Sequence, residues 1–221
     1  MQPLPCASEQ AHERALARAQ PRAIPRTTTT NGTTVTSHLP AVDPAAPSAP
    51  TPAAPADTAA AERMWADYSR AVPSAVSVCP EYTVEGFGDS AALADALLGL
   101  VLSGRKRATA ELTEEFAARG DDLPRVGSHW IACDSTGAPR AVLRSTELRL
   151  ATFDQVDAAF AFDEGEDDRS LESWRVEHEK YWVRGCAARG AVWSPEQEIV
   201  LERFTAVWPP EVAEAARTRP S

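Results

Sequence analysis

The sequence predicts an α+β fold, a small and mostly antiparallel β-barrel with flanking helices, preceded by a disordered N-terminal tail. Two observations carry this. Residues 1–64 contain no Phe, Trp or Tyr but ten of the 18 prolines, and Arg26 to His38 holds seven threonines in thirteen residues. Such a segment cannot bury enough apolar surface to offset the entropy of ordering it. Downstream, short alternating runs and short helical runs interleave without regular βαβ spacing, which favours a compact mixed fold. The expected organisation is a Pro/Thr/Ala-rich tail over 1–57, an N-terminal helix and linker over 58–79, the folded domain over 80–208 and a C-terminal tail over 209–221.

Ala56 to Val72 reads as a helix: Asp57 is placed to cap it, and Met64, Trp65, Tyr68 and Val72 recur at helical spacing. Pro73 ends it, because proline disfavours the helical region for the residue before it. Tyr82 to Phe87 alternates as a short strand. Asp89 or Ser90 then caps a helix whose buried face is Leu93, Leu97, Leu98, Leu100 and Val101, and Gly104 leaves that helix with positive φ. Ala108 to Leu112 begins a strand, Thr113 to Ala118 a short helix, and 120–127 a polar loop. Residues 128–150 form a β-hairpin around Ser135-Thr136-Gly137, with His129, Ile131 and Cys133 on one face of its first strand and Trp130 and Ala132 on the other. Thr152 caps a short helix through Phe160, and the acidic run Asp163 to Asp168 is a loop. Ser170 to Ala188 is helical, with Leu171, Trp174, His178, Tyr181 and Trp182 on its apolar face. Gly190 stops it, Glu198 to Val207 is the closing strand, and Pro209-Pro210 ends the domain before a short, fraying helix from Glu211 to Arg217.

Charge narrows the partners. Residues 80–208 carry 14 Lys and Arg against 24 Asp and Glu, a balance of −10 that equals the net charge of the whole chain. A domain this acidic repels polyanions at long range, whereas non-specific nucleic-acid affinity comes largely from neutralising phosphates. No stretch approaches the roughly 18 apolar residues of a membrane helix, and the N-terminus lacks a basic patch followed by an apolar run. A cytoplasmic protein with no membrane partner is expected. Cys6, Cys79, Cys133 and Cys186 are far apart with no Cys-x-x-Cys pair, which fits reduced thiols rather than a zinc ribbon.

The chemistry concentrates in Gly104-Arg105-Lys106-Arg107-Ala108-Thr109. Of 22 basic residues only Lys106 and Lys180 are lysines. Arginine keeps its proton in a protein, whereas a desolvated lysine can become a neutral amine, so chemistry that needs a base or a tunable cation requires Lys. In a regular strand Lys106 and Thr109 point to opposite faces, so a shared role needs an irregular backbone there. The acidic loop with Glu164 and Glu166 is the second polar cluster. Thr, Lys and Glu together supply a nucleophile, a charge for a developing oxyanion and a proton carrier. Glu177-His178-Glu179 has the residue types of a metal site, but His178 sits at core-facing spacing, so no metal and no cofactor are expected. His129 reads as a satisfied half-buried histidine.

Phe87-Gly88-Asp89-Ser90, the helix ending Leu102-Ser103-Gly104-Arg105-Lys106, Thr109, Val126-Gly127, Arg144-Ser145-Thr146-Glu147 and the stretch Glu164 to Trp174 together resemble the ASCH domain family over roughly Phe87 to Val207. The resemblance implies a PUA-like β-barrel with a cleft whose rim carries the Gly-x-Lys turn. Members of the family resemble either amidohydrolases that remove acetyl from the exocyclic amine of cytidine or metal-independent ribonucleases. Carried over, the functional set of the amidohydrolase branch is Lys106, Thr109 and Glu166, with Glu164 one slip away, and with Gly104, Arg105, Arg107 and Glu164 on the substrate side. Small amidohydrolase members carry an Arg two residues after the Thr, where this chain has Glu111. The expected activity is deacylation of a modified nucleoside or similar small amide. In that scheme Thr109 attacks, a partly neutral Lys106 takes its proton and Glu166 serves the leaving amine. The alternatives are an RNA-binding or RNA-cleaving module and a non-catalytic nucleotide-sensing domain.

Overall fold

The computed structural model of the chain describes residues 50–218. The expected tail lies outside the described residues as far as residue 49. Its remaining part, 50–57, runs extended along the domain: Ala54 donates its N–H to the Ser135 carbonyl, Asp57 donates to that of Gly137, and Thr51 accepts from Ala91. Hydrogen-bonded chain thus begins ahead of residue 58. Gly137 has φ +82°, and a Cβ on it would run into the Pro55 carbonyl, so this strap crosses the hairpin where only glycine fits.

Asp57 caps helix α1 (Thr58–Ala71), its carboxylate accepting from the Ala60 N–H. Pro73 ends α1 as expected but also opens a second helix, α2 (Pro73–Val78), where a linker was expected. Proline suits that first position because its missing N–H has no partner there in any helix. The order continues β1 (Tyr82–Gly86), α3 (Ala91–Leu102), β2 (Ala108–Leu112), α4 (Thr113–Arg119), β3 (His129–Cys133), β4 (Pro139–Ala151), α5 (Ala158–Glu164), α6 (Leu171–Ala188), β5 (Ile199–Trp208) and α7 (Pro210–Thr218).

The five strands form one curled half-barrel in the order β1-β3-β4-β5-β2. Three of the four pairings are antiparallel, and β1 runs parallel to β3. The β4–β5 ladder slips register between Val142 and Leu143 and again between Ser145 and Glu147. Such irregularities bend a strand and increase its twist, and here they curl the sheet beside Ser145.

Alternation along the strands sends neighbouring residues to different layers. Ile131 and Val142 pack under Ala61 and Tyr68 of α1. Ala132, Ala141, Leu143, Phe204 and Ala206 point the other way, against Leu98 and Val101 of α3, with Val212 and Ala216 of α7 beside them. Where β2 and β5 extend past β3, Leu112, Ile199 and Leu201 meet Phe160, Trp174 and Trp182 of α5 and α6.

Three expectations are corrected here. Thr152 caps only a single 3-10 turn, Phe153–Gln155; Val156 is extended, and Asp157 then caps α5 by accepting from the Phe160 N–H. α5 reaches Glu164, so the first two residues of the acidic run are helical rather than loop. Pro209-Pro210 ends β5 but not the domain, since α7 covers the sheet with Ala213 buried. Among the described residues no helix is long and apolar enough to cross a membrane. Cys79, Cys133 and Cys186 are free thiols.

Candidate functional site

Helix α3 ends in a paired turn. The Gly104 N–H donates to the Val101 carbonyl and the Arg105 N–H to that of Leu100, which satisfies carbonyls that a helix end otherwise leaves open. Gly104 has φ +72°, and a Cβ there would sit 2.8 Å from the Ala215 carbonyl oxygen of α7. Glycine is needed twice over, for the turn and for the close approach of the C-terminal helix. The chain then releases Lys106 inward before β2 begins at Ala108.

The Lys106 side chain is 1% exposed and its ammonium donates to Glu164 and, at 2.6 Å, to Glu166. The two carboxylates straddle the amine because Gly165, between them, lies directly on the Arg105–Lys106 backbone at φ +73°. A Cβ on Gly165 would run into the Arg105 carbonyl oxygen. Glu164 is equally buried; its second oxygen accepts from the Trp174 indole N–H at 3.3 Å and lies 3.5 Å from His178 Nε2. Glu164, Glu166 and His178 each place a ligand atom within 4.8 Å of the others, and the cation that the two carboxylates hold is the Lys106 ammonium. Beside them is an enclosed space of only about 10 Å³.

Burial alone lowers the pKa of Lys106, but the charges and hydrogen bonds of Glu164 and Glu166 outweigh it and hold the amine above its ordinary value. Burial likewise pushes Glu164 up, and Lys106 together with His178 brings it well below the usual carboxylate range. The expected partly neutral Lys106 is therefore corrected: two carboxylates keep it a permanent cation.

Arg105 donates to the Asp167 carbonyl, and Arg107 pairs with Asp163 at 2.7 Å. Asp163 also holds Arg203, which reaches Glu147. The two arginines of the basic triplet thus tie the Gly104–Thr109 segment to the α5–α6 connection and to the end of α5. That connection is tightly wound, with Asp167 at φ 40° and Arg169 at φ 67°, a backbone region uncommon for residues other than glycine.

Thr109 is one residue into β2 and sits opposite Glu202 of β5 in the strand register. Opposed residues in an antiparallel pair share a face, with Cβ atoms roughly 4.5–5.5 Å apart. On that same face lie Glu111 of β2, Trp130 of β3, Ser145 of β4 and, through the parallel register Glu85↔Ala132, Glu85 of β1. Glu202 is 6% exposed and accepts a hydrogen bond from the Ser145 hydroxyl. Thr109, Glu111, Trp130 and Glu85 are only half-buried around it. Phe87 joins this face to the lysine: the Lys106 Nζ is 5.8 Å from its ring centre, and the Trp130 ring is 5.0 Å from it on edge.

The family model described as "ASCH domain" matches residues 83–208. The chain belongs to the ASCH domain family. It is similar to the ASCH domain from Lactobacillus crispatus JV V101, at 25% identity and a TM-score of 0.64, over 68% of this chain and 96% of that one. It is also similar to protein EF3133 from Enterococcus faecalis V583, described by the family model DUF984, at 25% identity and a TM-score of 0.58, over 68% of this chain and 89% of that one. No curated protein matches.

In this ASCH domain the residues singled out from the sequence fall into two groups. Lys106, Glu164 and Glu166 come together, and Gly104, Arg105 and Arg107 build the turn that holds them. Thr109 stands apart from the Lys106 ammonium, whose hydrogen-bond partners among the described residues are the two glutamates, and faces Glu202 instead. Glu111, the departure from the small amidohydrolases, is neutralised in place: Arg119 of α4 donates to both of its carboxylate oxygens. Glu202 was missed. Its signal in the sequence is one acidic residue inside the apolar run Ile199 to Trp208, at a position whose neighbours by two, Val200 and Phe204, are buried. The ASCH domain has a larger cleft, about 270 Å³, between α3 and the β3–β4 turn, but it shares no lining residue with this site.

Proposed function

We propose that this ASCH domain hydrolyses the amide of a small, neutral, acylated nucleoside-like molecule. The observation that carries the reading is the Lys106 ammonium, buried between Glu164 and Glu166, three residues from a threonine on the sheet face that Glu202 shares. A cation already held in a dry setting stabilises developing negative charge without having to reorganise when the charge appears. An ammonium has three N–H donors; two go to the carboxylates and the third is left for the tetrahedral oxyanion. Thr109 supplies the attacking hydroxyl. Glu166, with a side chain 24% exposed against 1% for Glu164, is the carboxylate able to turn toward a leaving amine.

The same geometry disfavours an RNA substrate. Arg105 is held by the α5–α6 connection and Arg107 by Asp163 of α5, and Glu85 and Glu202 share the face of Thr109, so a phosphate chain meets carboxylates there.

The test is to incubate the purified chain with N4-acetylcytidine and follow acetate release. Release is expected from the wild type and is expected to fall about 100-fold or more in Thr109→Val, since the nucleophile is gone while the fold keeps an isosteric side chain. No release from the wild type, or undiminished release from Thr109→Val, removes this reading. Binding of structured RNA that weakens steeply with salt would put a nucleic-acid module in its place, and a tightly held nucleoside without turnover would make the domain a sensor.

A further inference from the structure

With Lys106 a fixed cation, the proposed deacylation lacks a group to take the proton from Thr109. We infer that Glu202 is that group, the general base and later general acid of the reaction, acting across the β2–β5 pair. The inference rests on the amidohydrolase reading.

Three observations support it. Glu202 is the direct strand partner of Thr109, so hydroxyl and carboxylate project from the same face. One carboxylate oxygen is fixed by the Ser145 hydroxyl. The Trp130 indole nitrogen is buried beside the same carboxylate and favours its charged form.

The charged and titratable surroundings tune the group. Burial is the largest influence and raises the Glu202 pKa to about 7; the Ser145 hydroxyl and the Trp130 indole lower it, while Glu85 from β1 and Glu111 from β2 raise it. A base is most effective when its pKa lies near the working pH. Glu111 is itself raised by burial, against the opposing hydrogen bonds and charge of Arg119.

Glu202 removes the Oγ1 proton of Thr109 as that oxygen bonds to the acyl carbon. The tetrahedral oxyanion collapses, the C–N bond breaks, and Glu202 returns the proton to the departing amine, which Glu166 positions. Water then attacks the threonyl ester, giving one proton to Glu202. The C–O bond to Thr109 breaks, and the threonine oxygen takes that proton back. Amide and water leave as carboxylic acid and amine, with no cofactor or redox partner required.

The experiment is the pH profile of kcat for acetylcytidine deacylation in the wild type, Glu202→Gln and Ser145→Ala. The wild type should gain rate as pH rises through about 7, because only the deprotonated carboxylate is a base. Glu202→Gln should lose about 100-fold in kcat with KM little changed, and should lose that acid limb. Ser145→Ala removes a hydrogen bond that favours the charged form, so its limb should move to higher pH. Should Glu202→Gln fail to fold, the Ser145→Ala limb still decides. A Glu202→Gln enzyme within about threefold of wild type, or a limb that Ser145→Ala leaves in place, overturns the base role alone. No acetate from the wild type overturns the deacylase reading and the base role together.

Discussion

Lys106 keeps its charge where water does not reach it, and Glu164 and Glu166 are the reason. Removing one member of a buried ion cluster leaves the rest uncompensated, at a cost of about 3–5 kcal/mol. Lys106→Met is expected to destabilise the domain by about that amount in urea unfolding at pH 7. An unchanged midpoint would mean that Glu164 finds another partner. The pH dependence follows from the two shifts. Glu164 has a folded pKa below its ordinary 4.5, so its contribution is present above that value and is lost as pH falls through the folded one. Lys106 has a folded pKa above 10.5, so its contribution is complete below that value and is lost as pH rises past the folded one. In Lys106→Met the buried Glu164 has lost its cation, and protonation relieves it. The stability gap between wild type and variant should therefore narrow as pH drops below about 4.5, and a gap that widens would contradict the cluster. Glu202 behaves in the opposite sense to Glu164. Its folded pKa is raised, so the native state binds more protons between about 4.5 and 7 and its contribution to stability falls as pH rises across that window.

At the level of elements, two glycine turns clasp each other. Gly104 carries Lys106 off the end of α3, and Gly165 carries Glu164 and Glu166 across it from the end of α5. Gly165→Ala meets both a left-handed φ and the Arg105 carbonyl, whereas Gly120→Ala meets φ +76° with nothing within 4 Å of the new methyl. The Gly120 substitution is expected to cost roughly 1 kcal/mol, the backbone term alone. Gly165→Ala should cost clearly more, about 2–4 kcal/mol, because the loop must also shift. Thermal melts of the pair check this, and equal losses would show that the close approach is not tight. The position of Gly104 is legible from the sequence because helix exits are local. The close approach at Gly165 is not legible, since the atom that excludes a Cβ there belongs to a residue 60 positions earlier. The split of the 152–164 stretch has a local cause that the sequence displays in two competing forms: Thr152 and Asp157 are both good caps, and the extended Val156 leaves each with its own turn.

Across the whole domain, the half-barrel is closed over by segments that lie outside the alternating core pattern. The strap 50–57 is apolar-poor and exposed, yet two of its hydrogen bonds, Ala54 to Ser135 and Ala91 to Thr51, tie the hairpin turn and the start of α3 together. A chain beginning at Asp57 is expected to unfold about 1–3 kcal/mol more easily than one beginning at Pro50, from roughly 1 kcal/mol per lost bond. Urea midpoints of the two truncations decide the point, and coincident curves would make the strap a bystander. At the far end, α7 is held by the Gly104 turn and by Ala213, so the fold extends past Pro209 and Pro210.

The family resemblance implies that Glu164 and Glu166 belong with Lys106; read as a linear pattern, the chain contains its fold class, nearly every strand and helix, and the Gly104 turn. Those features depend on periodicity, caps and turns that are written within a few residues of where they act. The charge state of Lys106, the pairing of Thr109 with Glu202, and the neutralisation of Glu111 by Arg119 were decided only by tertiary structure. Each arises between residues that folding brings together, in surroundings whose low polarity no neighbouring residue can supply. A carboxylate in an apolar strand has no visible partner until the sheet curls and sets a hydroxyl opposite it.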